Sequence, residues 1–185
     1  MRILGIDPGL TRCGVGIIDV DTMRRNRFVA VHVVRTHPDM ELPQRLLSLE
    51  SSIDELMNEF SPDVVAVERV FSQLNVRTAM GTAQASAVAL LSATRRGLPT
   101  FMYTPTEVKA AVTGYGRADK AQVTGMVTRL LSLSAPPKPA DAADSLALAL
   151  CHALRGMGQQ RLVELTETSH LTTSSTRTVE SRVSS

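Results

Sequence analysis

The sequence is poor in the features that mark several specialised classes of protein. Its 185 residues include only two cysteines, Cys13 and Cys151, and neither stands in a CxxC or cysteine–histidine spacing. This argues against a disulfide framework and against a structural zinc site. No apolar run is long enough for a transmembrane helix, and the first residues show no signal-peptide pattern. We therefore expect a soluble protein of a reducing compartment, the cytoplasm.

The net charge is also small, at +2, but its distribution along the chain is uneven. Residues 36–63 contain seven carboxylates and a single cation, Arg45, whereas residues 64–140 contain three carboxylates and nine cations. A chain divided in this way can present a basic face to phosphate while it stays nearly neutral overall. Two solvated helix surfaces would produce the same clustering, so charge alone leaves a nucleic-acid partner open.

Hydrophobic periodicity predicts a mixed α/β fold. Three early strands with short connections are typical of an antiparallel meander, and the continuous apolar run at 63–68 is typical of a strand buried on both faces. We expect that fourth strand to lie beside the first, joined by a crossover helix. The predicted strands are 2–7, 14–20, 27–36, 63–68 and 99–104, and the predicted helices are 43–60, 74–96, 106–112, 120–131 and 141–155.

The end of the chain has a different composition. Of the 25 residues from 161 onward, 12 are Ser or Thr, and apolar residues there are sparse and aperiodic. We interpret residues 1–157 as one folded domain and residues 158–185 as a disordered tail that is dispensable for chemistry. Cys13 in the first hairpin turn and Cys151 on the apolar side of the last helix are expected to be structural, and His152 is expected to be either a surface or a packing histidine.

Four carboxylates lie where a sheet edge could gather them. Asp7 ends the first strand and Glu68 ends the fourth, and Asp141 and Asp144 share one face at the start of the last helix because they are three residues apart. Each has an ordinary structural explanation as a turn former, a surface ion-pair partner or a helix N-terminal residue. Together they would repel strongly, and a divalent cation would relieve that repulsion.

The type of ligand suggests which ion would bind. Hard carboxylate oxygens, without cysteine or a histidine cluster, favour Mg²⁺ or Mn²⁺. Such ions can activate a water molecule and stabilise the leaving oxygen of a phosphodiester. An acidic pocket with cations around it is therefore the predicted site of a metal-dependent nuclease.

Three segments resemble the RuvC family, which comprises bacterial Holliday-junction resolvases with an RNase H-like fold. They are GIDPGLTRCGVGIID with Asp7, AVERVFSQLN with Glu68, and PADAADSLALALCHA with Asp141 and Asp144. The resemblance covers roughly residues 1–157 in motif order and spacing. DPG alone is shared with many RNase H-like and actin-like domains, whereas DAAD opening an Ala/Leu-rich helix, together with VER-F, is specific.

The resemblance implies a homodimer that binds a four-way DNA junction and cuts two strands of like polarity symmetrically. It implies that Asp7, Glu68, Asp141 and Asp144 are the catalytic acids that bind one or two Mg²⁺ ions, with Mn²⁺ as a substitute. It further implies RuvA and RuvB, the branch-migration proteins, as partners. The residues that we expect to contact DNA are Phe71, Arg69, Arg77, Lys109, Arg117 and Lys120.

The residues themselves, apart from the resemblance, suggest roles for Phe71 and for the helix that follows it. Only six aromatic residues occur in the chain, and Phe71 lies outside any clear apolar stripe, three residues past Glu68. An exposed ring there could stack on a base or open the junction, although a core residue capping the strand fits locally as well. The small residues of 74–96 allow close backbone approach, either at a dimer interface or against the chain's own sheet.

Three other functions share some of these features. An actin-like sugar or acetate kinase would explain Asp7-Pro-Gly, but it needs a second lobe and a second Gly-rich phosphate segment. Another RNase H-like nuclease, of the YqgF type and acting on RNA, would carry similar carboxylates and basic residues. A non-enzymatic junction-binding scaffold is disfavoured, because clustered carboxylates without a catalytic role would hinder DNA binding.

Overall fold

The computed structural model describes residues 1–69 and 76–156. In these residues five strands form one mixed sheet, in the order β3-β2-β1-β4-β5. The antiparallel part is β1 (Arg2–Asp7), β2 (Arg12–Val20) and β3 (Asn26–Arg35), and β4 (Val64–Glu68) and β5 (Thr100–Tyr103) continue it in parallel with β1. The ends of β1 and β4 therefore meet at the same edge of the sheet.

Five α-helices cover the two faces of this sheet in the described part of the chain. They are α1 (Leu42–Phe60), α2 (Val76–Arg95), α3 (Pro105–Thr113), α4 (Lys120–Leu130) and α5 (Ala140–Cys151), which continues into a π-helical turn at His152–Gly156. Helices α1 and α2 pack on one face and α3, α4 and α5 on the other, so that each face has its own apolar core. Capping boxes at Thr104 and Asp119 begin α3 and α4.

Helix α5 lies directly on the central strands because three glycines leave room for it. A Cβ atom on Gly5 would lie 2.3 Å from the main-chain oxygen of Ser145, and one on Gly16 would lie 2.7 Å from the main-chain nitrogen of Leu146. Gly14 of β2 is equally close to the first turn of α5. No side chain fits at such distances, so these glycines set the height of α5 above the sheet.

The structure confirms the mixed α/β fold and the position of the fourth strand beside the first. Two details of the prediction were wrong. Cys13 lies in β2 and not in a turn, because the β1–β2 turn needs only residues 8–11 and the strand begins at Arg12. The last helix leaves α geometry after Cys151, four residues before the expected end.

The described residues also bear on domain organisation, on membrane spans and on His152. Residues 1–154 form one compact unit, and the predicted tail at 158–185 lies outside the described residues. None of the helices in the described ranges is long and apolar enough to span a membrane. Of the two roles expected for His152, at the surface or in packing, the structure shows packing, since His152 is fully buried and its Nδ1 atom lies 2.8 Å from the Tyr103 hydroxyl.

Candidate active site

The four predicted carboxylates line a single cavity of about 400 Å³. Asp7 and Glu68 follow the paired residues Ile6 and Val67 at the ends of two parallel strands, which places both acids at one edge of the sheet. Asp141 and Asp144 line the cavity from the N-terminal part of α5. Two cations, Lys109 of α3 and Lys120 of α4, line the same cavity.

Asp7 and Glu68 are hydrogen-bonded to each other through their carboxyl groups. Burial, the hydrogen bond to Glu68 and the negative charges of Glu68, Asp144 and Asp141 together raise the pKa of Asp7 to about 8. Burial also raises the pKa of Glu68, with a further contribution from Asp144, while Lys120 and Lys109 oppose the rise. At neutral pH, Asp7 therefore holds a proton, which lies in its hydrogen bond with Glu68.

The two acids of α5 each pair with a cation. Asp141 Oδ2 forms an ion pair with Arg12 Nη2 of β2, and Asp144 Oδ2 lies 3.4 Å from Lys120 Nζ. The Asp141 Oδ2 atom is buried and the Arg12 contact does not have hydrogen-bond geometry, so this oxygen makes no hydrogen bond. This buried oxygen therefore has an ion pair with Arg12 but lacks the hydrogen bonds that normally satisfy a buried carboxylate.

The acidic cavity meets the requirements of a divalent metal only in part. No group of three or more His, Cys, Asp or Glu side chains in the described ranges stands in a metal-binding arrangement. The four acids are engaged with one another and with cations. The donor set nevertheless fits a hard divalent cation: four carboxylates line one cavity, one oxygen lacks a hydrogen bond, and one acid retains a proton that a cation would replace.

The structure separates the other candidate residues into three groups. Lys109 and Lys120 line the acidic cavity. Arg69 and Arg117 are exposed but do not line it; the Arg69 main-chain N–H donates to the Tyr103 carbonyl, and Arg117 lies between α3 and α4. Phe71 and the side chain of Arg77 lie outside the described residues.

Sequence reasoning missed one residue of the site, Arg12. It stands outside the basic stretch at 64–140 and 129 positions before Asp141, so no local spacing connects the two. The available signal was its position just past the Asp7-Pro-Gly turn, at the start of a strand neighbouring the one that carries Asp7. A residue at that place is brought to the same edge of the sheet as the acids.

The sheet order and the carboxylates at the ends of β1, β4 and the start of α5 define an RNase H-like domain. The family model described as Crossover junction endodeoxyribonuclease RuvC matches residues 3–152. Proteins of that name from Salinispora arenicola and Streptomyces griseus are 65% and 64% identical over 162 residues, which cover 88% of this chain and 93% and 79% of theirs. The chain therefore belongs to the RuvC family of crossover junction endodeoxyribonucleases.

A solved structure supports the same assignment. The chain is similar to Thermus thermophilus RuvC in complex with Holliday junction substrate, with a TM-score of 0.81 and 35% sequence identity. The match covers 85% of this chain and 96% of that one. The family resemblance and the RNase H-like fold predicted from the motifs are thus confirmed, and the kinase, YqgF-type and scaffold alternatives find no support.

Proposed function

We propose that this chain resolves Holliday junctions in DNA recombination and repair, by paired, symmetric hydrolysis of two phosphodiester bonds. The observation that carries the proposal is the cavity in which Asp7, Glu68, Asp141 and Asp144 face Lys109 and Lys120, in a chain of a metal-dependent nuclease family. A cavity lined by both acids and lysines suits a phosphate whose charge is shared between a metal and lysines.

The four acids are the proposed metal ligands, and Mg²⁺ is the proposed ion, with Mn²⁺ as a substitute and one or two ions in each subunit. When bound, such an ion activates the attacking water and stabilises the leaving oxygen. The residues of the chain prepare this site. Asp7, which holds a proton at neutral pH, and Asp141, which pairs with Arg12, would both be available as carboxylate ligands to such an ion.

Lys109 and Lys120 are proposed to hold the scissile phosphate. The Lys120 side chain is 78% exposed and its Nζ atom reaches Asp144, so it lies at the mouth of the acidic cavity. A lysine there can neutralise the phosphate as negative charge develops in the transition state. We further propose that Arg69, Arg77 and Arg117 contact the DNA backbone, and that Phe71 meets the bases at the crossover.

The assembly is also part of the proposal. A homodimer would present two acidic cavities to the two equivalent strands of a four-way junction, which symmetric nicking requires. RuvA and RuvB are the proposed partners of that dimer. Residues 1–157 are the proposed nuclease domain, and residues 158–185 the tail that cleavage does not need.

A substrate comparison tests the function. Cleavage with Mg²⁺ is measured on an immobile four-way DNA junction, on linear duplex of the same sequence and on structured RNA. We expect two symmetric nicks in the junction that a ligase can seal, none with a chelator present, and little cutting of the other substrates. Preferential cutting of RNA would establish the YqgF-type alternative, and tight junction binding without any cutting would establish a scaffold.

A further inference from the structure

A second cavity, of about 710 Å³, lies beyond the rim of the acidic cavity. It is bounded by the β1–β2 turn, by the first turn of α1 and by the N-terminal half of α2. The described residues that line it are Gly9, Leu10, Thr11, Arg12, Leu42, Arg45, Met80, Gly81, Thr82 and Gln84. We name it the arginine groove, and nothing in the function proposed above uses it.

The arginine groove has the chemistry of an anion site. Among the described residues that line it there are two guanidinium groups and no carboxylate. Arg45 is held in place, because its Nε atom donates to Thr36 Oγ1 at 2.8 Å and its Nη2 atom donates to Thr11 Oγ1 at 2.7 Å. Arginine in such a fixed position suits the oxygens of a phosphate group.

The same groove also offers apolar surface. Leu42 is 38% exposed and Met80 is 57% exposed, and both line the groove. A free phosphate ion has no apolar part that could contact this surface. A sugar–phosphate backbone could contact it, since its deoxyribose rings are apolar and alternate with its charges.

Arg12 connects the two cavities. It lines the arginine groove, and its Nη2 atom reaches Asp141 Oδ2 in the acidic cavity. Its side chain is 45% exposed, and this ion pair is the one interaction of its guanidinium with a described residue. A guanidinium that keeps most of its donors free, at the boundary between the metal site and a basic groove, can contact a ligand that spans both.

We infer that Arg12 and the arginine groove bind the backbone of the cleaved strand on the side of the scissile phosphate opposite Lys109 and Lys120. Arg12 contacts the phosphate next to the scissile one, and Arg45 contacts a phosphate further along. This inference rests on the proposed function, because it requires a DNA strand at the acidic cavity. It adds a second contact surface to the strand and assigns Arg12 a role in substrate binding.

The test must separate phosphate binding by Arg12 from simple neutralisation of Asp141. In an Asp141→Asn background Arg12 has no carboxylate charge to balance, and cleavage is blocked, so binding can be measured with Mg²⁺ present. Binding of an immobile junction is followed by fluorescence anisotropy over a range of salt. The matched control is Arg95→Gln, since Arg95 is also exposed and also paired with a carboxylate, Glu50.

In that background we expect Arg12→Gln to weaken junction binding roughly 10-fold. The slope of log affinity against log salt should fall by about 0.9, the value for one phosphate contact. Arg95→Gln should change neither quantity. Neutral methylphosphonate linkages are then placed one at a time along the strand. At one position, next to the scissile phosphate, the neutral linkage should weaken junction binding by the protein that has Arg12 but not by the Arg12→Gln protein.

The inference is overturned if, in the Asp141→Asn background, Arg12→Gln has the same junction affinity and salt slope as the protein that retains Arg12. It is also overturned if no methylphosphonate position has an effect on binding that depends on Arg12. Light scattering is run in parallel, and loss of the dimer in Arg12→Gln would assign the groove to an interface between two copies of the chain. If the Asp141→Asn protein itself fails to prefer a junction over duplex, it is the proposed function that fails. The methylphosphonate scan is then repeated on duplex DNA, where it still tests whether Arg12 contacts a phosphate.

Discussion

Gly14 lies directly beneath the main-chain oxygen of Asp141: a Cβ atom on Gly14 would be 2.2 Å from that oxygen. The first turn of α5, which carries Asp141 and is followed at once by Asp144, therefore rests on the backbone of β2 without an intervening side chain. This contact brings acids from a distant part of the chain to the edge of the sheet where Asp7 ends β1. The geometry of the acidic cavity depends on the absence of one methyl group.

We expect Gly14→Ala to impair cleavage more than it impairs folding. The new Cβ must push α5 away from β2, which should destabilise the protein by about 1–3 kcal/mol and displace Asp141 from the other acids. The control is Gly125→Ala on α4, where a Cβ meets nothing within 4 Å and should stabilise the helix by about 0.5–1 kcal/mol. Urea unfolding and nicking rates distinguish these outcomes, and normal nicking by Gly14→Ala would contradict the role of the contact.

The pKa of Asp7 predicts how stability depends on pH without metal. The folded protein holds a proton on Asp7 up to about pH 8, whereas the unfolded chain loses it near the ordinary value of 3.8. Between these values the folded state binds more protons than the unfolded state, so this group's contribution to stability falls as the pH rises from about 4 to about 8. The raised pKa of Glu68 acts in the same direction.

Asp7→Asn removes that contribution, because an amide does not ionise. With a chelator present, we expect the variant to gain in melting temperature over the wild type as the pH rises from 5 to 8. Glu59→Gln is the control, since the Glu59 side chain is exposed. A difference between Asp7→Asn and wild type that stays constant across this range would show that Asp7 titrates normally.

Lys120 gives a prediction about DNA rather than about stability. Lys120→Ala should slow nicking and lower the salt slope of junction binding by about 0.9, because one phosphate contact is lost. The melting temperature should barely change, as an exposed ion pair with Asp144 contributes little. Arg27→Ala, at the opposite end of the sheet, should leave the slope unaltered. An unaltered slope in Lys120→Ala as well would place Lys120 away from phosphate.

Phe71 is expected to act on the substrate and not on the core. Phe71→Ala should lower the nicking rate on a four-way junction while the melting temperature stays close to that of the wild type, because a ring that stacks on bases adds little to folding. Calorimetry measures the melting temperature, and a junction cleavage assay measures the nicking rate. A large fall in melting temperature with normal specific activity would identify Phe71 as a core residue.

The sequence pattern predicted much of this site for physical reasons. A continuous apolar run marked β4, and its end gave the position of Glu68; the three-residue spacing of Asp141 and Asp144 placed both on one face of α5. The convergence of these acids at one cavity then followed from parallel pairing of β1 and β4. Local periodicity and strand order were sufficient for these residues.

Other features depend on the folded chain and have no local signal. The pairing of Arg12 with Asp141 joins residues that are far apart in sequence, and nothing in either neighbourhood points to the other. Glycines at 5, 14 and 16 are visible in the sequence, but only the fold shows that a helix rests on them. The start of β2 was also misplaced, because the tightness of the preceding turn is a tertiary property.

We propose that Asp7, Glu68, Asp141 and Asp144 jointly bind the divalent ion with which this chain cuts a four-way junction. The most direct measurement is the nicking rate of the four single amide variants on an immobile junction across a Mg²⁺ titration, with junction binding measured for each. We predict that every variant binds the junction yet nicks it at least about 100-fold more slowly at all Mg²⁺ concentrations. A variant that nicks at the wild-type rate with an unchanged Mg²⁺ dependence would contradict the claim.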